Sequence, residues 1–205
     1  MEEVNDLNTN VYVIVSGPPG SGKDECVNGI REKWVGGETI LNRPLVEITI
    51  SDFVKRGMLD SLCMRDRLTT DWDDDKDAPR EEFNGKSFRQ ACITYSEDYM
   101  KPLQGEDVFS NKATDYLKSI NPKHSLVLMT GVGFKVEVGS LVSMVDTDRI
   151  LHLIVSREGH TFKGDSREAV YIPGAIEVNI ENDSGVEELR DKAEEAVARF
   201  ILEKK

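Results

Sequence analysis

Val11-Tyr12-Val13-Ile14-Val15-Ser16-Gly17-Pro18-Pro19-Gly20-Ser21-Gly22-Lys23-Asp24 is the stretch from which the fold can be read. Its first five residues form a short β-branched apolar run that ends at once in a Gly/Pro turn, the mark of a buried parallel strand. Cys26, Val27, Ile30 and Trp34 then recur at helical spacing, so the opening unit is strand–loop–helix. Gly17 to Lys23 matches G-x-x-x-x-G-K at the junction. Gly17, Gly20 and Gly22 let the backbone curl, with Ser21 among them, so that successive N–H groups face inward. The helix start adds partial positive charge, and such a loop cradles phosphate. Lys23 supplies a point charge for β/γ-phosphates. The bland alternative is a turn that merely joins strand to helix, and the correct flanks on both sides favour the phosphate loop. The residue after the lysine is Asp24, where a hydroxyl for Mg²⁺ is usual. A carboxylate also binds Mg²⁺, directly or through water, but it sets a negative charge beside the triphosphate. GTPases and motor ATPases fit poorly for that reason.

Outward from the loop, Val46–Ile50, Ser125–Met129, Ile150–Val155 and Ala175–Ile180 read as further strands. Phe88, Ala91, Cys92, Tyr95 and Tyr99 mark one helical face, Val108–Leu117 continues as a second helix, and Val136–Val145 suits a third. A last helix is expected from Ser184, with Glu187 completing a capping box and Val186, Leu189, Ala193, Ala196, Val197 and Phe200 as its apolar stripe. Strands alternating with helices predict a three-layer α/β/α fold around a mostly parallel five-stranded sheet. Residues 1–10 read as a tail and 11–205 as one domain.

Composition narrows the function classes. With 39% hydrophobic and 31% charged residues, the 205-residue chain is of ordinary globular type. The net charge of −12 speaks against binding nucleic acid by phosphate neutralisation. Much of that charge sits in three places: the tail, the Asp-rich residues 71–82 (−5) and the C-terminal helix. The body that holds the phosphate loop is close to neutral. No apolar stretch nears the ~20 residues of a membrane helix, and the N-terminus is no signal peptide. Cys26, Cys63 and Cys92 are too scattered for a disulfide framework, so a reducing cytoplasm is expected.

Together with the loop, several segments resemble the deoxynucleoside monophosphate kinases of tailed phages, a branch of the P-loop nucleoside monophosphate (NMP) kinase-like fold. They are the G-K-D of Gly22-Lys23-Asp24, Lys76-Asp77-Ala78-Pro79, Gly85-Lys86-Ser87-Phe88-Arg89, Ile154-Val155-Ser156-Arg157, the variable segment 158–168, and Asn182-Asp183. The resemblance spans roughly residues 11–200, and its weight lies in order and spacing. It implies ATP- and Mg²⁺-dependent phosphoryl transfer to a (deoxy)nucleoside monophosphate, in the host cytoplasm if the chain is phage-encoded. It implies a helical acceptor-binding region over 51–120 and a lid over 157–169. Gly17, Gly20, Ser21, Gly22 and Lys23 would hold the donor, Asp24 would serve the metal, Arg89 would clamp the acceptor phosphate, and Arg157 with Arg167 would meet charge in transfer. Asn182 would lie near the adenine. Read without the resemblance, Arg89 is a surface arginine and 157–169 a solvated loop whose Arg157, Lys163 and Arg167 cancel Glu158, Asp165 and Glu168. Asn182 is then a cap residue.

The resembling kinases follow the strand that corresponds to Ser125–Met129 with D-x-R and a nearby Glu. Here Gly131 and Gly133 stand in place of the Asp and the Arg, while Glu137 is kept. A second carboxylate for Mg²⁺ is therefore missing from its place. Two other readings stay open: a nucleotide-binding protein with weak or no catalysis, and a kinase of a small non-nucleotide acceptor, since phosphomevalonate kinases share the G-K-D loop. Asp71 to Glu82 approaches an EF-hand pattern, but Lys76 replaces its glycine and Pro79 interrupts it. A mobile or solvated acidic loop is expected there. His124, His152 and His160 have no metal-like spacing, and His152 reads as a core or sheet-edge residue. Cys26 sits on the apolar stripe, which indicates simple burial. No G-x-S-x-G elbow supports a serine hydrolase.

Overall fold

The computed structural model describes residues 9–35, 43–164 and 167–204. The tail acids Glu2, Glu3 and Asp6, and Asp165 of the 157–169 segment, lie outside the described residues. Five strands form the sheet: β1 (Val11–Ser16), β2 (Leu45–Thr49), β3 (Leu126–Thr130), β4 (Ile150–Ser156) and β5 (Ile176–Glu181). Their order is β2-β3-β1-β4-β5, and every pairing is parallel. The sheet is thus wholly rather than mostly parallel. With β1 central and the chain departing to both sides of it, the loop after β1 opens at the switch point where ligands of such sheets bind.

Side-chain alternation along β1 sorts the core into two layers. Val11, Val13 and Val15 face α1 (Lys23–Val35) and α7 (Val186–Glu203), where Ile30, Trp34, Val197 and Phe200 are buried. Tyr12 and Ile14 face the other layer with Phe109, Leu117 and Leu141. That layer holds α5 (Val108–Ile120) and α6 (Lys135–Val142). Before it in the chain come α2 (Ile50–Ser61), α3 (Phe88–Ile93) and α4 (Lys101–Gln104). No helix among the described residues is long and apolar enough to cross a membrane.

Four local readings are corrected. The second strand stops at Thr49 because Ile50 already opens α2. Tyr99 is 56% exposed, because Thr94–Met100 forms a π-helical stretch whose wider turn carries Ser96 and Met100 inward instead. The capping box at Ser184 does not form: Gly185 is the N-cap of α7 and Ser184 Oγ donates to Asp183 Oδ1 at 2.8 Å. The Asp-rich stretch is not loop throughout, although Asp71, Asp74 and Asp75 are exposed to solvent. Thr69–Asp75 is a 3₁₀ helix pinned by buried Trp72, which stacks on Phe88 with centroids 4.9 Å apart. No group of three or more metal-type ligands occurs there or elsewhere among the described residues.

Candidate functional site: a glycine loop held by its carbonyls

The loop leaves the C-terminal end of β1 and runs directly into α1. Ser21 N donates to Pro18 O at 3.2 Å, and Gly20 has φ +74. These describe a β-turn over residues 18–21 with Pro19 and Gly20 at its centre, the type II form that needs glycine at its third position. Gly22 has φ +101, and a Cβ there would stand 2.6 Å from Asn182 Nδ2 and 2.7 Å from a Leu189 methyl. Only glycine meets both demands.

Each carbonyl from Pro18 to Gly22 has a hydrogen-bond partner, and those of residues 19–21 are held from outside the loop. Pro18 O accepts from Ser21 N and from Lys23 Nζ at 3.4 Å. Pro19 O pairs with His160 Nδ1 at 2.9 Å, Gly20 O accepts from Arg157 Nη1 at a long 3.5 Å, and Ser21 O accepts from Asn182 Nδ2 at 2.9 Å. Gly22 O accepts the first helical bonds, from the amides of Glu25 and Cys26. Carbonyls turned outward leave the alternate N–H groups facing inward, the arrangement that cups an anion. Ser21 Oγ is fully buried and has no hydrogen-bond partner. Asp24 is exposed in the first turn of α1.

Of the residues singled out in the sequence, Lys23, Arg157 and Asn182 gather at this loop. Arg167 meets the end of β3 instead. A Cβ on Gly133 would lie 2.5 Å from Arg167 Cδ, so the arginine stem fills the space that a side chain at 133 would need. Glu168 N donates to Gly133 O at 3.0 Å and fixes that approach. Glu137 accepts from the amides of Gly133 and Phe134 at 2.7 and 3.0 Å, and so caps its own helix. Burial raises its carboxyl pKa, opposed by those two amides and by Lys101 and Arg167. Gly131 has φ +74, a backbone that an aspartate there would adopt only with strain.

Arg89 belongs to a second cluster. Its guanidinium donates to Asp77 at 2.6 and 3.4 Å, and its amide donates to Lys76 O at 3.0 Å. Pro79 and Ser87 form an antiparallel bridge, and Ser87 and Gln90 cap α3 reciprocally. The two motif pieces, 76–79 and 85–89, are therefore one unit, packed over Trp72, Phe83 and Phe88. The Arg89 hydrogen bond holds the Asp77 carboxyl below its usual range.

The residue that sequence reasoning passed over is His160. Its signal is tertiary: it meets Pro19 across 141 residues. His152 is the expected core histidine, fully buried, with Nε2 2.7 Å from Ser16 Oγ and Nδ1 3.5 Å from Glu177 Oε1. Burial lowers its pKa. Burial likewise pushes the thiols of Cys26 and Cys92 up to about 12 and about 11, which makes them inert. A groove of about 720 Å³ lies between α5 and α6, and none of the residues singled out as a site lines it.

No protein-family model matches the sequence, and no curated protein matches it. Among solved structures, the chain is similar to a sugar kinase from Janibacter sp. HTCC2649, at 12% identity and a TM-score of 0.43, over 92% of this chain and 94% of that one. It is also similar to dephospho-CoA kinase from Campylobacter jejuni, at 9% identity and a TM-score of 0.46, over 94% and 98%.

Proposed function

We propose that the chain is an ATP-dependent phosphotransferase whose acceptor is a (deoxy)nucleoside monophosphate. The observation that carries the reading is the glycine loop at the switch point, with the consecutive carbonyls of residues 19–21 engaged from outside the loop by His160, Arg157 and Asn182. Such a loop binds oligophosphate, and phosphoryl transfer asks a protein chiefly for positioning and charge neutralisation.

In this reading Gly17, Gly20, Ser21 and Gly22 cup the donor phosphates, Lys23 places a positive charge on them, and the Ser21 hydroxyl offers a donor that has no partner within the protein. The residues present fit Mg²⁺ in the mode where one carboxylate suffices and phosphates and waters supply the remaining ligands. Asp24 is that carboxylate, and the metal supplies charge neutralisation on the phosphates. Arg157 stands at the loop and Arg167 at the end of β3, so both can meet charge on the transferred group as residues 157–169 cover it. Arg89 would exchange Asp77 for the acceptor phosphate, another oxyanion that can take two hydrogen bonds from one guanidinium. Residues 51–120 form the acceptor side. Asn182 supports the loop through Ser21 O and would reach the base only by leaving it.

A second reading, nucleotide binding without turnover, rests on Gly131, whose left-handed backbone disfavours the carboxylate expected there. A coupled assay of ADP formation across common NMPs and dNMPs tests the proposal. Acceptor-stimulated ADP formation supports it. Tight calorimetric ATP binding with no ADP formed from any acceptor would leave the second reading standing.

A further inference from the structure

We propose that His160 is a positioning residue of the phosphate loop, one that fixes the Pro19–Gly20 peptide with its carbonyl outward and its N–H toward an oligophosphate. The inference rests on the reading of this loop as the donor site and adds to it a residue outside the motif.

In the β-turn over residues 18–21 the central peptide is Pro19–Gly20, with Gly20 at φ +74. Types I and II differ by a flip of that central peptide, and proline at the second position suits both. Glycine at the third position removes the steric bias that would choose between them. One orientation presents the Gly20 N–H to the concavity, and the other presents the Pro19 carbonyl. A carbonyl turned inward would repel phosphate. A hydrogen bond from outside the turn can then hold the orientation that a bound phosphate requires.

His160 is placed to do so. A carbonyl only accepts, so the 2.9 Å contact with Pro19 O puts the proton on Nδ1. The ring also lies against Gly20, where a Cβ would come within 2.6 Å of Nδ1 and Cε1. A flip of the peptide would break that bond and leave the imidazole N–H without its acceptor. The histidine itself is held by the main chain: its amide donates to Arg157 O at 3.1 Å, in a turn that passes through Gly159 at φ +76 directly beyond β4. The next two carbonyls, of Gly20 and Ser21, are taken by Arg157 and Asn182. His160 is therefore the first of three outside donors on consecutive carbonyls, and the one acting on the peptide that turn chemistry leaves free to flip.

Calorimetric titration of the full chain with inorganic tripolyphosphate and with ATP tests this, using wild type, His160→Ala and His160→Asn. The asparagine amide nitrogen occupies nearly the place of Nδ1 and keeps the donor. His160→Ala is expected to weaken both ligands about 3- to 10-fold. His160→Asn is expected to recover most of that loss, and all three proteins should share one thermal midpoint. Unchanged affinity in His160→Ala overturns the assignment. So does a loss that the asparagine fails to rescue, or one that goes with a lower midpoint. If wild type binds neither ligand, the donor-site reading itself falls, and this assignment with it.

Discussion

The loop at 17–24 and the unit at 76–89 are held in opposite ways. The loop's carbonyls are held from far along the chain: His160 is 141 residues from Pro19, Arg157 is 137 from Gly20, and Asn182 is 161 from Ser21. The unit is held by its neighbours, with Arg89 paired to Asp77 twelve residues back and its aromatic floor drawn from Trp72, Phe83 and Phe88. The loop therefore inherits its shape from the C-terminal edge of the sheet, where β1, β3 and β4 end together. The unit can change side chains without disturbing that edge. On the proposed function, donor binding belongs to the architecture and acceptor choice to a local insertion.

If that division is right, substitutions in the two regions should separate in their effects. Lys23→Ala should lower turnover by about 10²–10³-fold with an unchanged unfolding midpoint, as removal of a preorganised charge contact typically does. Retained turnover in the coupled assay would detach the loop from the chemistry. Trp72→Ala should cost about 3–5 kcal/mol of packing. Its signature should be local, with acceptor-dependent activity lost while calorimetric ATP affinity holds. A parallel loss of ATP affinity would show that the two regions are one body. Arg89→Ala should raise the acceptor KM by about 10- to 100-fold, the scale of a charge-assisted hydrogen bond, and leave the ATP KM alone. Steady-state kinetics with each substrate varied in turn reads this directly.

The smallest expected effect tests the sheet beneath the loop. His152 is buried beside Ser16, and burial lowers its pKa below the ordinary 6.5. The unfolded chain then binds the proton more readily, so the stability contributed by neutral His152 is present above pH 6.5 and is lost as pH falls through the lowered folded value. Thermal midpoints of wild type should drop on that acid side more steeply than those of His152→Gln. Identical slopes would mean that the imidazole stays neutral, or charged, in both states.

Legibility followed the same division. The strand–loop–helix opening was readable because Val11–Val15, the glycines and the helical stripe are adjacent in sequence, and the remaining buried strands were readable from their β-branched runs. Alternation alone implied a mostly parallel sheet, while the strand order and the fully parallel pairing came only with the structure. Contacts formed only on folding left no local trace. His160 on Pro19, and Arg167 filling the space above Gly133, come from distant segments brought to one edge. The π stretch at Thr94–Met100 misled because periodicity assumes a constant turn, and Tyr99 fell on the wrong side of it. The Asp-rich segment misled through its charge, since one buried tryptophan outweighs its solvated neighbours and anchors the segment. At α7 the capping pattern of Ser184 and Glu187 lost to Gly185, whose extended backbone took the cap one residue later.

The central claim is group transfer between two bound phosphates, and phosphorus NMR of a mixture of wild-type protein, ATP, Mg²⁺ and a monophosphate acceptor tests it most directly. The account predicts that ADP and the acceptor diphosphate appear in equal amounts, and that both vanish with Lys23→Ala. ADP accompanied only by inorganic phosphate, or no change in any resonance across the acceptor panel, would contradict it.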